Sequence, residues 1–395
     1  IYTINKETKM SSAQIEIQLI ASIVAIACAI PGTFLVLRKM ALISDAISHS
    51  ILPGLVLGFF ITHDLNSPLL IIMAALSGVV TVVLVEFIQK TKLVKEDTAI
   101  GLVFPVLFSI GVIMIAKNAN DVHLDTDAIL LGELAFAPFD RFLVDGSDLG
   151  PKSLWIIGTI LLITIGLLFA FFKELKISTF DAGLATALGF SPIMIHYGLM
   201  SVASITIVGS FDAVGAILVV ALMIAPAATA YLLTDNLKRM LGLSVIFGVF
   251  SAIAGYWLAH WLDASISGSM TTILGIVFLI VYLFAPKRGL ISVLYRNKQQ
   301  QIEVSLLTFL LHLNNHQEIS ERHINHLNEH INWRRVKSKS VLDLALKNNM
   351  ITIEKSIISL TDKGKNFTDR AIDYIITNDH SKIESIKDDF FLFRG

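Results

Sequence analysis

Residues 40–60, MALISDAISHSILPGLVLGFF, are long and apolar enough to cross a membrane, yet they carry Asp45 and His49 in their first half. Spaced by four, the two side chains share one face of a helix, one above the other. An aspartate at the centre of a spanning helix costs about 2.5–3.5 kcal/mol on insertion scales, so it belongs toward a bundle interior or a watery path rather than lipid. Pro53, four residues after His49, removes the hydrogen bond that would occupy the His49 carbonyl. Gly54 and Gly58 form a GxxxG that admits close approach of a neighbouring helix. At about 1.5 Å per residue, Asp45 lies about 9 Å and His49 about 15 Å beyond Lys39, near the middle of an apolar layer about 30 Å thick.

The rest of the chain suits such a stretch. Its 395 residues are 54% hydrophobic and only 16% charged, with mean hydropathy +0.71. Soluble domains average about 25% charged residues, so the balance points to a polytopic membrane protein. The single cysteine, Cys28, sits in an apolar run and excludes both a disulfide framework and a multi-cysteine metal site within one chain. No signal-peptide pattern precedes the first span, and Met10 is a candidate natural start. Apolar segments of spanning length recur at about 15–37, 41–62, 68–88, 99–116, 153–172, 193–209, 213–233, 241–260 and 270–285. Little more than Ser210, Phe211 and Asp212 separates the sixth from the seventh, so one of them is a candidate for a bent or half-spanning piece, and the expectation is eight to nine spans.

Every second loop is basic: Arg38-Lys39, Lys90 with Lys92, Lys173 with Lys176, Lys238-Arg239 and Lys287-Arg288. The positive-inside rule then puts the N-terminus outside and the basic loops, with everything after residue 286, in the cytoplasm. The outer connection 117–152 is acidic around a leucine-rich centre, DAILLGELAFAPF, which reads as an interfacial or re-entrant helix. On the cytoplasmic side, in ELKISTFDAGLATALGFSP, Asp181 can cap a two-turn helix from Ala182 to Leu188 that ends at Gly189. That helix suits the docking of another protein or serves as a plain connector.

Composition changes after Pro286. The expected organisation is an N-terminal tail (1–14), a transmembrane domain (15–286), a linker (287–301), a helix-rich cytoplasmic domain (302–380) and a C-terminal tail (381–395). The order within 302–380 is helix, helix, helix, short hairpin, helix, which resembles a winged helix over about eighty residues. Its recognition positions offer little beyond Lys337, Lys339, Lys347 and Asn348, so DNA is kept only as a secondary partner of the tail. His323, His326 and His330 fall on one side of the second helix and form a candidate regulatory metal site. Glu86, His196, Asp212, His260 and Asp263 lie near span ends, where side chains reach water, and read as ordinary terminal residues.

A carboxylate and an imidazole suit Mn, Fe and Zn, and the lack of thiolate disfavours Cu(I). Two ligands do not make a tight site. A second copy of the pair across a dimer axis completes one economically, and a weak site suits transport. The pair alternatively serves only to hydrogen-bond neighbouring helices. LVLRKMALISDAISHSILPG resembles the signature of the metal-type ABC importer permeases, which take up manganese, zinc or iron through a substrate-binding protein. FDAGLATALGFSP is similar to that family's coupling segment, and VGAILVVALMIAPAATAYLL, with Pro226, to its proline-containing span. The resemblance covers about residues 15–286, and Ser44 departs from it where many members have glycine.

The resemblance implies an all-α fold of the type II ABC importer permease kind. It implies that Asp45 and His49 line the metal path, on the helix whose packing the sequence itself assigns to Pro53, Gly54 and Gly58. It also implies that Asp181, Ala182, Gly183, Ala185, Leu188 and Gly189 contact a separate ATPase. The chain has no GxxxxGK[ST], so ATP is bound and hydrolysed on that partner and this subunit is not itself an enzyme. The remaining partners are an extracytoplasmic metal-binding protein, a second permease copy or paralogue, and membrane lipid. No cofactor is held tightly. The transported divalent ion is the cargo, with manganese first and zinc or iron as alternatives. A membrane-tethered, metal-responsive transcription regulator is the competing reading, and a secondary carrier the third.

Overall fold

The computed structural model describes residues 11–64, 67–118, 134–144, 147–315, 322 and 335–377. The chain divides into two compact units at Ala285/Pro286.

The first unit is built around α1 (Ser12–Leu37). Ser11 and Gln14 start it with a reciprocal capping box, Gln14 N–H to Ser11 Oγ at 3.3 Å and Ser11 N–H to Gln14 Oε1 at 3.0 Å. One long run of its residues is fully buried, most of them small: Ala21, Ala25, Ala27, Cys28, Ala29 and Gly32. Small residues matter here because helices in lipid gain little from hydrophobic burial and associate through close packing instead. Gly32 lies so near the Met223 carbonyl that a Cβ there would overlap it, and Gly248 stands where a Cβ would touch Ala25 at 3.4 Å.

The bundle continues with α2 (Ala41–Ser50), α3 (Leu52–Thr62), α4 (Pro68–Lys90), α5 (Glu96–Asn118), α6 (Lys152–Ala170), α7 (Phe172–Phe180), α8 (Ala182–Ala187), α9 (Pro192–Val214), α10 (Ala216–Leu233), α11 (Leu237–Leu262) and α12 (Ile266–Phe284). Taking α2 and α3 together, nine helical segments among the described residues are long and apolar enough to span a membrane. The sixth and seventh are both full length. The expected break around residues 210–212 is displaced to Gly215, whose φ of 78° and ψ of 163° suit glycine and little else. Asp212 stays inside α9 because an exposed carboxylate near a helix end needs no break to reach water.

Beyond α5, residues 119–133 lie outside the described residues, and with them 127–133 of the outer helix expected over DAILLGELAFAPF. The chain re-enters the description as a 3₁₀ turn (Ala137–Phe139) and a hairpin of β1 (Arg141–Val144) and β2 (Ser147–Pro151). Arg141 ties the hairpin down through Asp148 (Nε to Oδ2, 2.5 Å) and Glu16 (Nη1 to Oε2, 3.3 Å). The Arg141 guanidinium, aided by the Gly150 N–H, holds the Asp148 carboxyl below the usual carboxylate range.

The second unit contains α13 (Leu290–Asn315), α14 (Arg335–Lys347), the hairpin β3 (Ile351–Glu354) and β4 (Ile357–Leu360), and α15 (Asp362–Thr377). Residues 290–301, expected as linker, are helical, since no proline or glycine interrupts them. Lys355 and Ser356 turn the hairpin with φ of 50° and 69°. Leu306, Phe309, Leu310, Val341, Met350, Ile358 and Phe367 close the core. His323, His326 and His330, with the helix expected to carry them, lie outside the described residues.

Candidate metal site and coupling segment

The second span is interrupted at Ile51 alone, which keeps helical angles (φ −72°, ψ −20°). Pro53 has no N–H for the His49 carbonyl, helix α2 stops at Ser50, and α3 restarts at Leu52. The neighbouring Ser50 carbonyl is taken by the Ser77 hydroxyl of α4 at 2.7 Å, and Ser50 Oγ lies 2.6 Å from Thr81 Oγ1. These hydroxyls fix the break from behind. Gly54 and Gly58 face α4, the first against Met73 and Ala74, the second with 3.1 Å available to Leu70 Cα. Ser44, buried, bonds its own helix at Ala41 O (2.7 Å).

Ile43, Ser44, Ala46, Ile47, Ser48 and Ser50 of α2 are buried, while Asp45 and His49 stay partly open, their side chains 45% and 38% exposed. His49 Nε2 lies 3.5 Å from Asp45 Oδ1, and the imidazole packs against Phe104 of α5 at 5.6 Å between ring centres. Two ligand atoms, each about 2.1 Å from a tetrahedral ion, stand about 3.4 Å apart, so the pair is spaced to hold one ion between its donors. The same contact holds the two side chains together when no ion is present. No cluster of three or more His, Cys, Asp or Glu occurs among the described residues. Completing a coordination sphere therefore needs water, a backbone carbonyl or a second chain.

At the basic ends of the spans, Asp181 Oδ1 accepts from Leu184 N–H at 2.9 Å and starts α8. The helix closes with Leu188 N–H on Leu184 O, Gly189 N–H on Thr186 O and Phe190 N–H on Ala185 O, which the φ of 86° at Gly189 makes possible. Ala185 is its one buried residue, and Asp181, Ala182, Gly183, Leu184, Leu188 and Gly189 are exposed. Phe180, Ile193 and Met194, which flank α8 in sequence, are further exposed apolar side chains.

A further constellation joins two distant spans. Glu86 of α4 and His196 of α9, expected as separate terminal residues, meet through Oε1 and Nε2 and are largely buried, each side chain 16% exposed. Tyr197 donates its hydroxyl to Glu86 Oε2 at 2.7 Å. Only the hydropathy pattern, which puts both residues at the basic ends of their spans, could have hinted at the pairing.

Nine apolar spans among the described residues, one of them the interrupted segment bearing the carboxylate–imidazole pair, give the chain the build of a polytopic membrane permease. The chain belongs to the ABC 3 transport family, whose pattern it matches over residues 14–285. It is 45% identical to the zinc transport system membrane protein TroD of Treponema pallidum, over 91% of this chain and 98% of that one. It is 44% identical to the manganese transport system membrane protein MntD of Bacillus subtilis, over 71% and 95% respectively. Among solved structures, PsaBC from Streptococcus pneumoniae in complex with Fab matches with a TM-score of 0.60 and 30% identity, covering 71% of this chain and 94% of that one. The protein is thus a membrane permease subunit of a metal ABC transport system, not itself an enzyme. A match over 91% of the chain runs past Ala285, so the second unit is shared at least in part with TroD. The regulator reading gains no support from these relatives.

Proposed function

We propose that this permease moves a divalent first-row ion, manganese first, into the cytoplasm by alternating access, with Asp45 and His49 as its ligands in mid-membrane. The observation that carries the reading is the 3.5 Å pair, left partly open between the buried residues Ile43, Ser44, Ala46, Ile47, Ser48 and Ser50 at the interruption of the span. Carboxylate and imidazole accept manganese, zinc and iron alike, and carboxylate with water favours manganese. The names of the two relatives, zinc for one and manganese for the other, agree with that range.

Two ligands from one chain leave room for two more, and a second copy or a paralogue supplies them across a dimer axis. A binding protein delivers the ion from outside. ATP is hydrolysed on separate subunits that dock on the exposed face of α8, with Leu184 and Leu188 as its apolar contacts. Closure of those subunits moves α8 and opens the path inward. The basic loops, and the second unit with them, face the cytoplasm, and that unit is a winged-helix-like domain whose described helix–hairpin–helix order supports the assignment. Replacing Asp45 or His49 with Ala is expected to abolish manganese uptake by the reconstituted complex while leaving its assembly and ATP hydrolysis in place. Uptake at the wild-type rate by either variant would refute the ligand assignment, and competition by zinc that outweighs manganese would reassign the cargo.

A further inference from the structure

A second polar cluster, remote from Asp45 and His49, joins four elements at the basic ends of the spans. Arg38, the C-terminal cap of α1, points its guanidinium at three partners: Nε to Thr179 Oγ1 at 3.2 Å, Nη2 to Ser178 Oγ at 3.3 Å, and Nη1 to His196 Nδ1 at 3.3 Å. The opposite ring nitrogen of His196 stands against Glu86 Oε1 in an ion-pair contact without a well-directed hydrogen bond, and Tyr197 closes the other carboxylate oxygen. Arginine has only donors, so Nδ1 must accept and the ring proton belongs on Nε2, facing Glu86. The imidazole is then a neutral bridge between a cation and an anion. Its Nε2 is committed to Glu86 and its other edge faces a guanidinium, which unsuits it as a metal ligand.

The positions of these residues give the cluster a mechanical meaning. Ser178 and Thr179 end α7, three and two residues before the Asp181 cap of α8. Arg38 stands three residues before α2, which carries Asp45 and His49. Glu86 belongs to α4, whose Ser77 and Thr81 hold the break after His49. We infer that Arg38, Ser178, Thr179, His196 and Glu86 form a polar clamp that transmits displacement of α8 to the helices holding the metal pair. These are positioning residues and touch no cargo. Charged groups held this far from water lose heavily when one partner is removed, so the clamp is made or broken rather than stretched. An apolar contact in the same place would slide. The inference rests on the reading of α8 as the ATPase contact.

The test uses the permease with its ATPase in proteoliposomes and reads ATP consumed per manganese ion transported. His196→Leu keeps the volume and removes both the hydrogen bond to Arg38 and the contact with Glu86. ATP hydrolysis is expected to persist while uptake falls, raising the ratio by about tenfold or more, the effect of losing one charge-assisted hydrogen bond. His196→Gln, which retains an acceptor for Arg38 and a donor for Glu86, is expected to restore most of the coupling. The double variant Ser178→Ala with Thr179→Ala, which leaves the Glu86 side intact, is expected to raise the ratio as well and serves if His196→Leu does not assemble. An unchanged ratio, whether both rates fall together or neither does, overturns the clamp. Leu184→Asp judges the underlying reading separately: loss of ATPase co-purification upholds α8 as the contact, and retention refutes it whatever the His196 variants do.

Discussion

Gly54→Ala tests how the broken span is held in place. A Cβ at residue 54 would stand 2.8 Å from the Cα of Ala74 and 2.8 Å from the carbonyl carbon of Met73. Both are backbone atoms of α4, which no rotamer change can move aside. Non-bonded carbons pack at about 3.5–4.0 Å, so α3 and α4 must separate by roughly 1 Å. A gap of that size forfeits about a quarter to a half of the dispersion between the atoms it parts. Overpacking typically costs about 1–3 kcal/mol, against which alanine regains about 0.5–1 kcal/mol over glycine as a helix former. Because the contacts are with backbone, the cost lies toward the upper end and the clash wins, leaving a net loss of up to about 2.5 kcal/mol. Gly101→Ala is the control, because a Cβ there meets nothing within 4 Å and only the propensity gain remains. Thermal melting of the purified permease reads both. Gly54→Ala is expected to melt below wild type and Gly101→Ala at or above it. A Gly54→Ala permease as stable as wild type would show that the GxxxG seam with α4 is not tight.

Three other substitutions probe single contacts. Gly215→Ala forces a side chain into the φ 78°, ψ 163° junction of α9 and α10, and a loss of about 1–3 kcal/mol is expected in the same melt. Ser77→Ala leaves the Ser50 carbonyl without its hydroxyl donor, so about 1–3 kcal/mol is expected, and no change would mean water replaces the serine. Asp148, held down by Arg141, stabilises the hairpin of β1 and β2 above the carboxyl's unfolded value, and that contribution is lost as pH falls through its depressed folded value. Acid, or Asp148→Asn at neutral pH, is therefore expected to speed amide exchange across residues 141–151, and equal exchange in the variant would dissociate the ion pair from the hairpin.

The sequence spoke most clearly where hydropathy and backbone chemistry act locally. Residues 40–60 showed a span, a polar pair on one face and a proline break, because each depends only on neighbours within one or two turns. The Asp181 cap and the Gly189 stop were legible for the same reason. The hairpin of β1 and β2 was hidden because SDLGP has none of the β-branched or aromatic alternation of a strand and is held by Arg141 instead. Asp212 drew the expected break several residues too early, since charge marks the water boundary whereas the chain turns where only glycine tolerates the angle. The meeting of Glu86 with His196 and Arg38 has no local signal at all. It arises when α1, α4, α7 and α9 pack, and each residue alone looks like an ordinary span end.

In the proposed cycle Asp45 and His49 hold the ion in mid-membrane. Pulsed electron paramagnetic resonance on the complex, trapped with manganese in the path, tests it directly through the nitrogen hyperfine coupling that a ligating imidazole imposes on the metal. The coupling is expected in the wild-type complex and in Gly101→Ala, and lost in His49→Ala. A manganese spectrum in which the nitrogen coupling survives in His49→Ala would contradict the account.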